Sequence, residues 1–376
     1  MKKRDIELME RAKKTLLGNI YTGENLPWGD YRLIGPGPST NFPGVWNWDC
    51  AFHAIGLLDI DLELAKEQIT GYLQFLQEDG ILPEFVFADG TMYPAYSDPP
   101  VMMDAAWQVY QASGDMEFLK EVYPKLTRHA DYWTEQRLHD GLHYYDANKD
   151  KMEGCPEDYY TLVCWESGWD NSPRWDKGDA MFLWTIDLNC YLVMAYRALT
   201  LMANELGLPQ EAAMWKEKEQ ALASLVEEKL FDPQGMTYAD YNFRDGAFST
   251  VLTPASFMPL FAGIASKEHA EAMNEIAKKH FLPGMPCVSY NDPAYQEEGG
   301  YWRGATWFNI AYFAAKGLKD YGYTETAEII RETLLGWVEK DGDCIHENYR
   351  SRSGVGQNYP HFSWGSVFVR EFIKNI

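Results

Sequence analysis

At 376 residues the chain exceeds the usual size of one hydrophobic core, and its 46% apolar content is that of a globular protein. A formal charge of -23 with no basic patch excludes nucleic acid and anionic membrane surfaces as partners, because phosphate would be repelled. The 14 Trp, 24 Tyr and 18 Phe are more than a core alone explains, since several fall in polar loops.

The N-terminal segment has no apolar leader, and no apolar run is long enough to span a bilayer. Cys50, Cys155, Cys164, Cys190, Cys287 and Cys344 are scattered without a C-x-x-C pair, as small buried residues in a reducing cytoplasm would be. No metal site or cofactor is expected. His139 and His143 have the i, i+4 spacing of a helical metal pair, but Asp140-Gly141 between them marks a turn, so both are expected at the surface.

Helical periodicity dominates the chain. A half-exposed helix is expected from near Ile6, then a buried one from near Trp48. Leu62, Ala65, Ile69, Leu73 and Leu76 share one face of the next, whose other positions carry Glu63, Lys66, Glu67 and Gln68. Further half-exposed helices begin near Met116, Pro209, Ser266 and Tyr323. Buried helices begin near Val101, Asp179, Pro254, Trp302 and Ser363, and residues 179–204 are apolar all round, which requires protein on every side. Asp115 is an expected N-cap, Gly207 a C-cap, and Pro209 and Pro254 suit a first turn. Strand signals, such as 143–145 and 236–238, are short and confined to loops. About twelve helices in six pairs, with no linker between them, predict an all-α fold. Six inner helices ringed by six outer ones make an (α/α)6 barrel, in one domain over 1–376.

The connections into the buried helices are long and rich in Trp, Tyr, Asp, Glu, Gly and Pro, and loops of that length usually carry function. All would reach the same end of the barrel. The first carries Trp46, Trp48 and Asp49. The second carries Asp98 before two prolines. The third packs Glu166, Gly168, Trp169, Asp170, Asn171, Pro173, Arg174 and Trp175 into ten residues. Its plain alternative is a rigid surface loop whose indoles plug the core. The fifth holds Glu297, Glu298, Trp302 and Arg303, and a cation at the start of a helix opposes the dipole and needs a carboxylate or ligand nearby. The sixth holds Glu347, Arg350 and Arg352, followed by Trp364, and Glu347 has pairing with those arginines as its plain alternative.

Indoles beside carboxylates suit a sugar, whose C–H face stacks on the ring and whose hydroxyls take hydrogen bonds. Asp170 and Glu347 then fit glycoside hydrolysis, one giving a proton to the leaving oxygen and the other activating water or attacking the sugar. Desolvation by Trp169 and Trp175 would raise the acid's pKa.

Trp48-Asp49 with Phe52, the run Glu166-Ser167-Gly168-Trp169-Asp170-Asn171-Ser172-Pro173-Arg174, Tyr301-Trp302-Arg303-Gly304 and Glu347-Asn348-Tyr349 resemble glycoside hydrolase family 63, in the trehalase-like clan. The resemblance runs in order from about Trp46 to Trp364. It implies an inverting, exo-acting α-glycosidase that removes glucose, or mannose, from a small acceptor or oligosaccharide. By position Asp170 matches the general acid and Glu347 the general base. Trp48, Asp49, Trp302 and Arg303 match residues around the non-reducing-end sugar, with Trp169 and Arg174 beside the acid. Trp46, Asp98 and Trp364 complete the expected sugar contacts. Two departures stand out. Asp98-Pro99-Pro100 replaces a frequent Gln-Pro-Pro, and Arg350-Ser351 replaces a common Asn-Pro, so that Arg350 and Arg352 are expected to offset the charge of an anionic acceptor. The rival readings are a sugar epimerase using His346 and His361, and a non-catalytic carbohydrate-binding protein.

Overall fold

The computed structural model describes residues 2–376. Thirteen α-helices carry the fold among these residues, and the strands between them are two or three residues long. The first helices are α1 (Lys3–Gly18), α2 (Asn47–Leu57) and α3 (Leu62–Tyr72), followed by α4 (Met102–Ser113) and α5 (Met116–Gln136). The short α6 (Tyr159–Trp165) precedes α7 (Ile186–Glu205) and α8 (Pro209–Lys229). Then come α9 (Met258–Phe261), α10 (Lys267–His280), α11 (Phe308–Asp320), α12 (Thr324–Lys340) and α13 (Ser363–Asn375).

Local chemistry sets the ends. Asp115 accepts from the backbone N–H groups of Glu117 and Phe118 at 3.1 and 3.2 Å, capping α5. Gly207 stands at φ +70° just past α7, where a side chain would be strained, and Pro209 opens α8. In α7 nearly every residue from Ile186 to Ala203 is buried, as its all-round apolar pattern requires. Truncating one of its fully buried leucines to alanine would cost about 2–5 kcal/mol.

The buried helices contact one another in sequence: α2 packs on α4, α4 on α7, α7 on α9, α9 on α11, α11 on α13, and α13 on α2. The half-exposed helices lie outside them, α3 on α2, α5 on α7 and α4, α8 on α7, α12 on α11 and α1 on α13. Short turns join each buried helix to its partner, and the long connections all run to the N-termini of the buried ones.

Several boundaries differ from the sequence-based ones. The third and fifth buried helices start at Ile186 and Phe308, not near Asp179 and Trp302, because the residues before them pair as strands. Leu183–Trp184 is bonded to Tyr241–Asn242, and Ala305–Thr306 to Asn348–Arg350. The fourth is only a 3-10 turn (Pro254–Phe257) and the four residues of α9, ended by Gly263 at φ +70°. His143 is buried rather than at the surface: its strand Leu142–His143 folds back on Leu138–His139, and its Nδ1 lies 3.2 Å from the Trp133 carbonyl. His139 stays exposed on the other side of the turn.

Candidate active site

Three short strand pairings bring the long connections together. Gly44–Trp46 pairs with Phe85–Phe87, and an isolated bridge joins Pro83 to Ser97. The Ala305–Thr306 strand pairs with Asn348–Arg350, which draws the segment around Glu347 beside Tyr301 and Trp307. A cavity of about 150 Å³ opens where they meet. Trp46, Trp48, Asp49, Asp98, Asp170, Trp302, Glu347 and Trp364 all line it, so eight of the eleven residues singled out from sequence are brought to one place.

The other three stand behind the wall. Arg174, expected from sequence beside the substrate, has a fully buried side chain. Its Nη1 and Nη2 donate to Asp187 at 2.8 Å, and its Nε donates to Asp240 at 2.8 Å. Committed to these two carboxylates, it anchors the Asp170 loop to the start of α7 instead. Trp169 is fully buried and tilts against Trp302 at 4.9 Å, with the Arg174 guanidinium over its ring. Arg303 precedes α11 by five residues rather than starting it, and the carboxylate it requires is Asp176, at 2.8 and 2.6 Å.

The Asp170 loop is held from three sides. Glu166 is completely buried and accepts from Arg137 at 2.9 and 3.0 Å and from the backbone N–H groups of Asp146 and Ser97. It is therefore a structural tie rather than a ligand-binding group. Gly168, at φ +70°, lies under the Trp48 indole, and an added Cβ would sit 2.4 Å from that ring. Asn171 accepts from the Trp302 N–H at 3.0 Å and donates to the Gly300 carbonyl at 3.1 Å, stapling this loop to the fifth connection. On the opposite side, the Glu347 N–H donates to the Tyr359 carbonyl at 2.9 Å. The buried Tyr349 hydroxyl accepts from the His346 N–H and donates to Asp341.

The aromatic wall is continuous. Trp302 and Trp307 stack with centroids 4.0 Å apart and planes 2° from parallel. Trp307 meets Trp364 at 5.6 Å, and Trp364 meets Trp48 at 4.9 Å. Trp46 rests against Phe42, Phe85 and Phe87.

Five carboxylates face this pocket, and burial raises all of them. Asp170 is pushed up to about 6, chiefly by desolvation, with its own backbone N–H and Tyr301 working the other way. Glu347 rises to about 7 through burial, opposed by Tyr301, with the charge of Asp170 adding to the rise. Asp49 and Glu84 each rise to about 8, burial leading in both. Asp98, which accepts from the Trp48 N–H at 3.2 Å, is held well above the carboxylate range by burial and then by Glu84. Asp49 Oδ1 and Trp364 Nε1 are buried without a protein partner, although unpaired polar atoms are costly inside a fold.

Sequence reasoning missed Glu84 and gave no role to Tyr301 or Trp307. Tyr301 is the most informative. Its backbone is left-handed (φ +64°), a strained state for a tyrosine, and it favours the charged forms of both Asp170 and Glu347. Only the Tyr-Trp-Arg-Gly motif hinted at it. Glu84 has no local signal, because strand pairing over forty residues brings it in. Arg350 and Arg352 do not offset charge in the pocket as expected. Arg350 pairs with Glu298 at 2.5 Å, and Arg352 faces Glu297 at 3.9 Å while lying over Tyr290.

Comparison with known proteins agrees with this geometry. Residues 42–365 match the family model of the mannosylglycerate hydrolase MGH1-like glycoside hydrolase domain. The chain belongs to that family. It is a glycoside hydrolase, as the family 63 resemblance implied. The enzyme is 23% identical to a mannosylglycerate hydrolase of Rubrobacter radiotolerans, across 98% of this chain and 97% of that one. It is 26% identical to mannosylglycerate hydrolase MGH1 of Selaginella moellendorffii, across 95% and 84%. The crystal structure of the GH63 mannosylglycerate hydrolase from Thermus thermophilus with Tris and D-glycerate superposes with a TM-score of 0.78. That match has 23% identity and covers 96% of this chain and 99% of the other.

Proposed function

We propose that the enzyme removes a single α-linked glucosyl or mannosyl residue from a small acceptor, with inversion, using Asp170 as acid and Glu347 as base. The observation that carries this reading is that Asp170 and Glu347 both line one indole-walled cavity, with Tyr301 electrostatically coupled to both. The sugar's C–H face lies on the indoles. Its hydroxyls meet Asp49 Oδ1 and Trp364 Nε1, whose lack of protein partners supports a ligand there. Protonated Asp170 gives its proton to the glycosidic oxygen as the C–O bond breaks. Glu347 takes a proton from the water that attacks the anomeric carbon from the other face. Arg174, Trp169, Arg303 and Asn171 hold the acid loop in place. The small cavity, against about 300–1,000 Å³ for drug-sized sites, favours action at a chain end.

The cycle of contacts through α2, α4, α7, α9, α11 and α13 supports a closed (α/α)6 barrel in a single domain over 1–376. The six cysteines are all unpaired and suit a reducing cytoplasm. The epimerase reading is disfavoured, because its two histidines lie outside the pocket lining. His346 Nδ1 is 2.6 Å from Asp341, and His361 is exposed. The test is a screen of α-disaccharides and glycosyl-glycerates with the intact protein, Asp170→Asn and Glu347→Gln. Released hexose from the intact protein, lost in each variant while sugar binding persists, is the expected result. Sugar binding without turnover by the intact protein would establish the non-catalytic alternative.

A further inference from the structure

Of the five pocket carboxylates, Glu84 alone belongs neither to the proposed proton transfers nor to a sequence motif. Its main chain is fixed twice. The Glu84 carbonyl accepts from the Asn47 N–H at 2.7 Å and from the Tyr72 hydroxyl at 3.0 Å. Both bonds are made by the backbone, so any residue at this position would make them, and they do not need the carboxyl. Asn47 opens α2, and its Nδ2 reaches the Leu82 carbonyl and Ser97 Oγ, each at 3.4 Å. The next residue, Trp48, donates its N–H to Asp98 at 3.2 Å. The start of α2 thus ties the segment around Glu84 to the one that carries Asp98. The two carboxyls are neighbours across that tie, and Glu84 is the strongest charge acting on Asp98. Behind Glu84, the buried Tyr96 hydroxyl has no hydrogen-bond partner at normal geometry, and it favours the charged form of the carboxyl.

Glu84 also has a definite side of the pocket. The charges that act on it are those of Asp170 and Asp49, which places it on the acid's side. Asp49 and Asp98 beside it are 4% and 1% exposed, whereas Phe42 packs on Tyr359, which is 44% exposed. The Glu84 end is therefore the closed end and the Phe42 end the mouth. A hydrolase acting at a chain end takes the departing sugar into the closed end and leaves the acceptor at the mouth. Resting on the hydrolase reading above, we propose that Glu84 is a specificity-determining residue whose carboxyl, beside that of Asp98, hydrogen-bonds the glucosyl or mannosyl ring and not the acceptor. A buried carboxyl with no Lys, Arg or His along the cavity wall is costly to keep. A sugar hydroxyl reduces that cost in either protonation state, since it donates to a carboxylate and accepts from an acid. Burial raises Glu84 to about 8, toward the acid form, which offers the ring one donor and one acceptor. A sugar lacking the matching hydroxyl leaves the carboxyl unpaired, which is how such a site rejects it.

The test crosses variants with substrates. The intact chain, Glu84→Ala, Glu84→Met (which keeps the volume) and Glu84→Gln are assayed with α-glucosyl- and α-mannosyl-glycerate. The hexose is intact or deoxygenated at C2, C3, C4 or C6, and the matching glycosyl-glycerols are run beside them. Comparing each penalty between enzyme forms cancels the intrinsic effect of the missing hydroxyl. Loss of one hydroxyl should lower kcat/KM by about 100-fold in the intact enzyme but by less than about threefold in Glu84→Ala and Glu84→Met. Glu84→Gln, which keeps a donor and an acceptor, should restore at least about tenfold of the activity lost in Glu84→Ala. The glycerate-to-glycerol ratio should be the same in every form. Deoxygenation penalties unchanged by Glu84→Ala and Glu84→Met, or a shifted glycerate-to-glycerol ratio, overturn the inference while the hydrolase reading stands. A titration of each form with glucose and mannose, followed by indole fluorescence, accompanies the assays. If no form releases hexose, the hydrolase reading fails. The contact with the ring is then supported by at least about tenfold weaker hexose binding in Glu84→Met, and overturned by equal binding.

Discussion

At the scale of single residues, the site is governed by burial of acid. Asp170 at about 6 and Glu347 at about 7 titrate over overlapping ranges, and the charge of Asp170 bears on Glu347, so the pair has two macroscopic titrations. The form the proposed mechanism uses, Asp170 protonated and Glu347 ionised, is the minor of the two singly protonated states, because Glu347 holds its proton the more tightly. Activity therefore falls below the first titration, when both are protonated, and above the second, when neither is. The expected kcat/KM profile is a bell centred near pH ~6.5. Tyr301 favours the charged forms of both carboxylates, so Tyr301→Phe should move both limbs to higher pH and lower kcat by about 10–100-fold. A profile with unmoved limbs would remove Tyr301 from the proposed proton balance. Asp98 explains a departure from the family pattern. Burial pushes its carboxyl well above the carboxylate range, toward the protonated form, which presents one donor and one acceptor as a glutamine amide does. Asp98→Asn should therefore retain activity within about tenfold, whereas Asp98→Ala should lose on the order of 100-fold in kcat/KM. Equal losses in both variants would show that its charge is needed.

At the scale of elements, the helices are legible in the sequence because a buried helix and a half-exposed one leave different periodicities, and capping residues such as Asp115 mark the boundaries. Sequence does not show how far each connection runs before its helix starts. Residues 179–185 and 302–307 are apolar enough to continue a helix, yet strand pairing with distant loops claims them. The same blindness hides Glu84, which reaches the site only through pairing with the Gly44–Trp46 strand and the bridge to Ser97. The motif places Arg174 beside the acid, but its two partners, Asp187 and Asp240, come from parts of the chain that the motif does not include. The loop's geometry makes its own prediction. Gly168→Ala forces both a strained backbone and a collision with the Trp48 indole, so it should abolish most activity and destabilise the fold by about 1–3 kcal/mol. Thermal unfolding with sugar-binding titration would check this, and a variant with normal stability and binding would contradict the close packing of Gly168 on Trp48.

At the scale of the whole molecule, five carboxylates with raised pKa values couple stability to pH. Their folded values lie above the unfolded ones, so the folded state binds more protons. Stability is fullest below the unfolded carboxylate range, about 4, and falls as pH rises through about 6 to 8. The melting temperature should thus drop between pH 5 and pH 8, and Asp98→Asn should recover a few degrees at pH 8 but almost none at pH 5. The fold accepts this cost to keep a proton available in a pocket walled by indoles. The most direct test of the central claim, that Asp170 and Glu347 work from opposite faces of the anomeric carbon, is proton NMR during the first turnovers of an α-glycoside. The proposed mechanism predicts that the β-anomer of the released sugar appears first and then mutarotates. An initial signal from the α-anomer would contradict it.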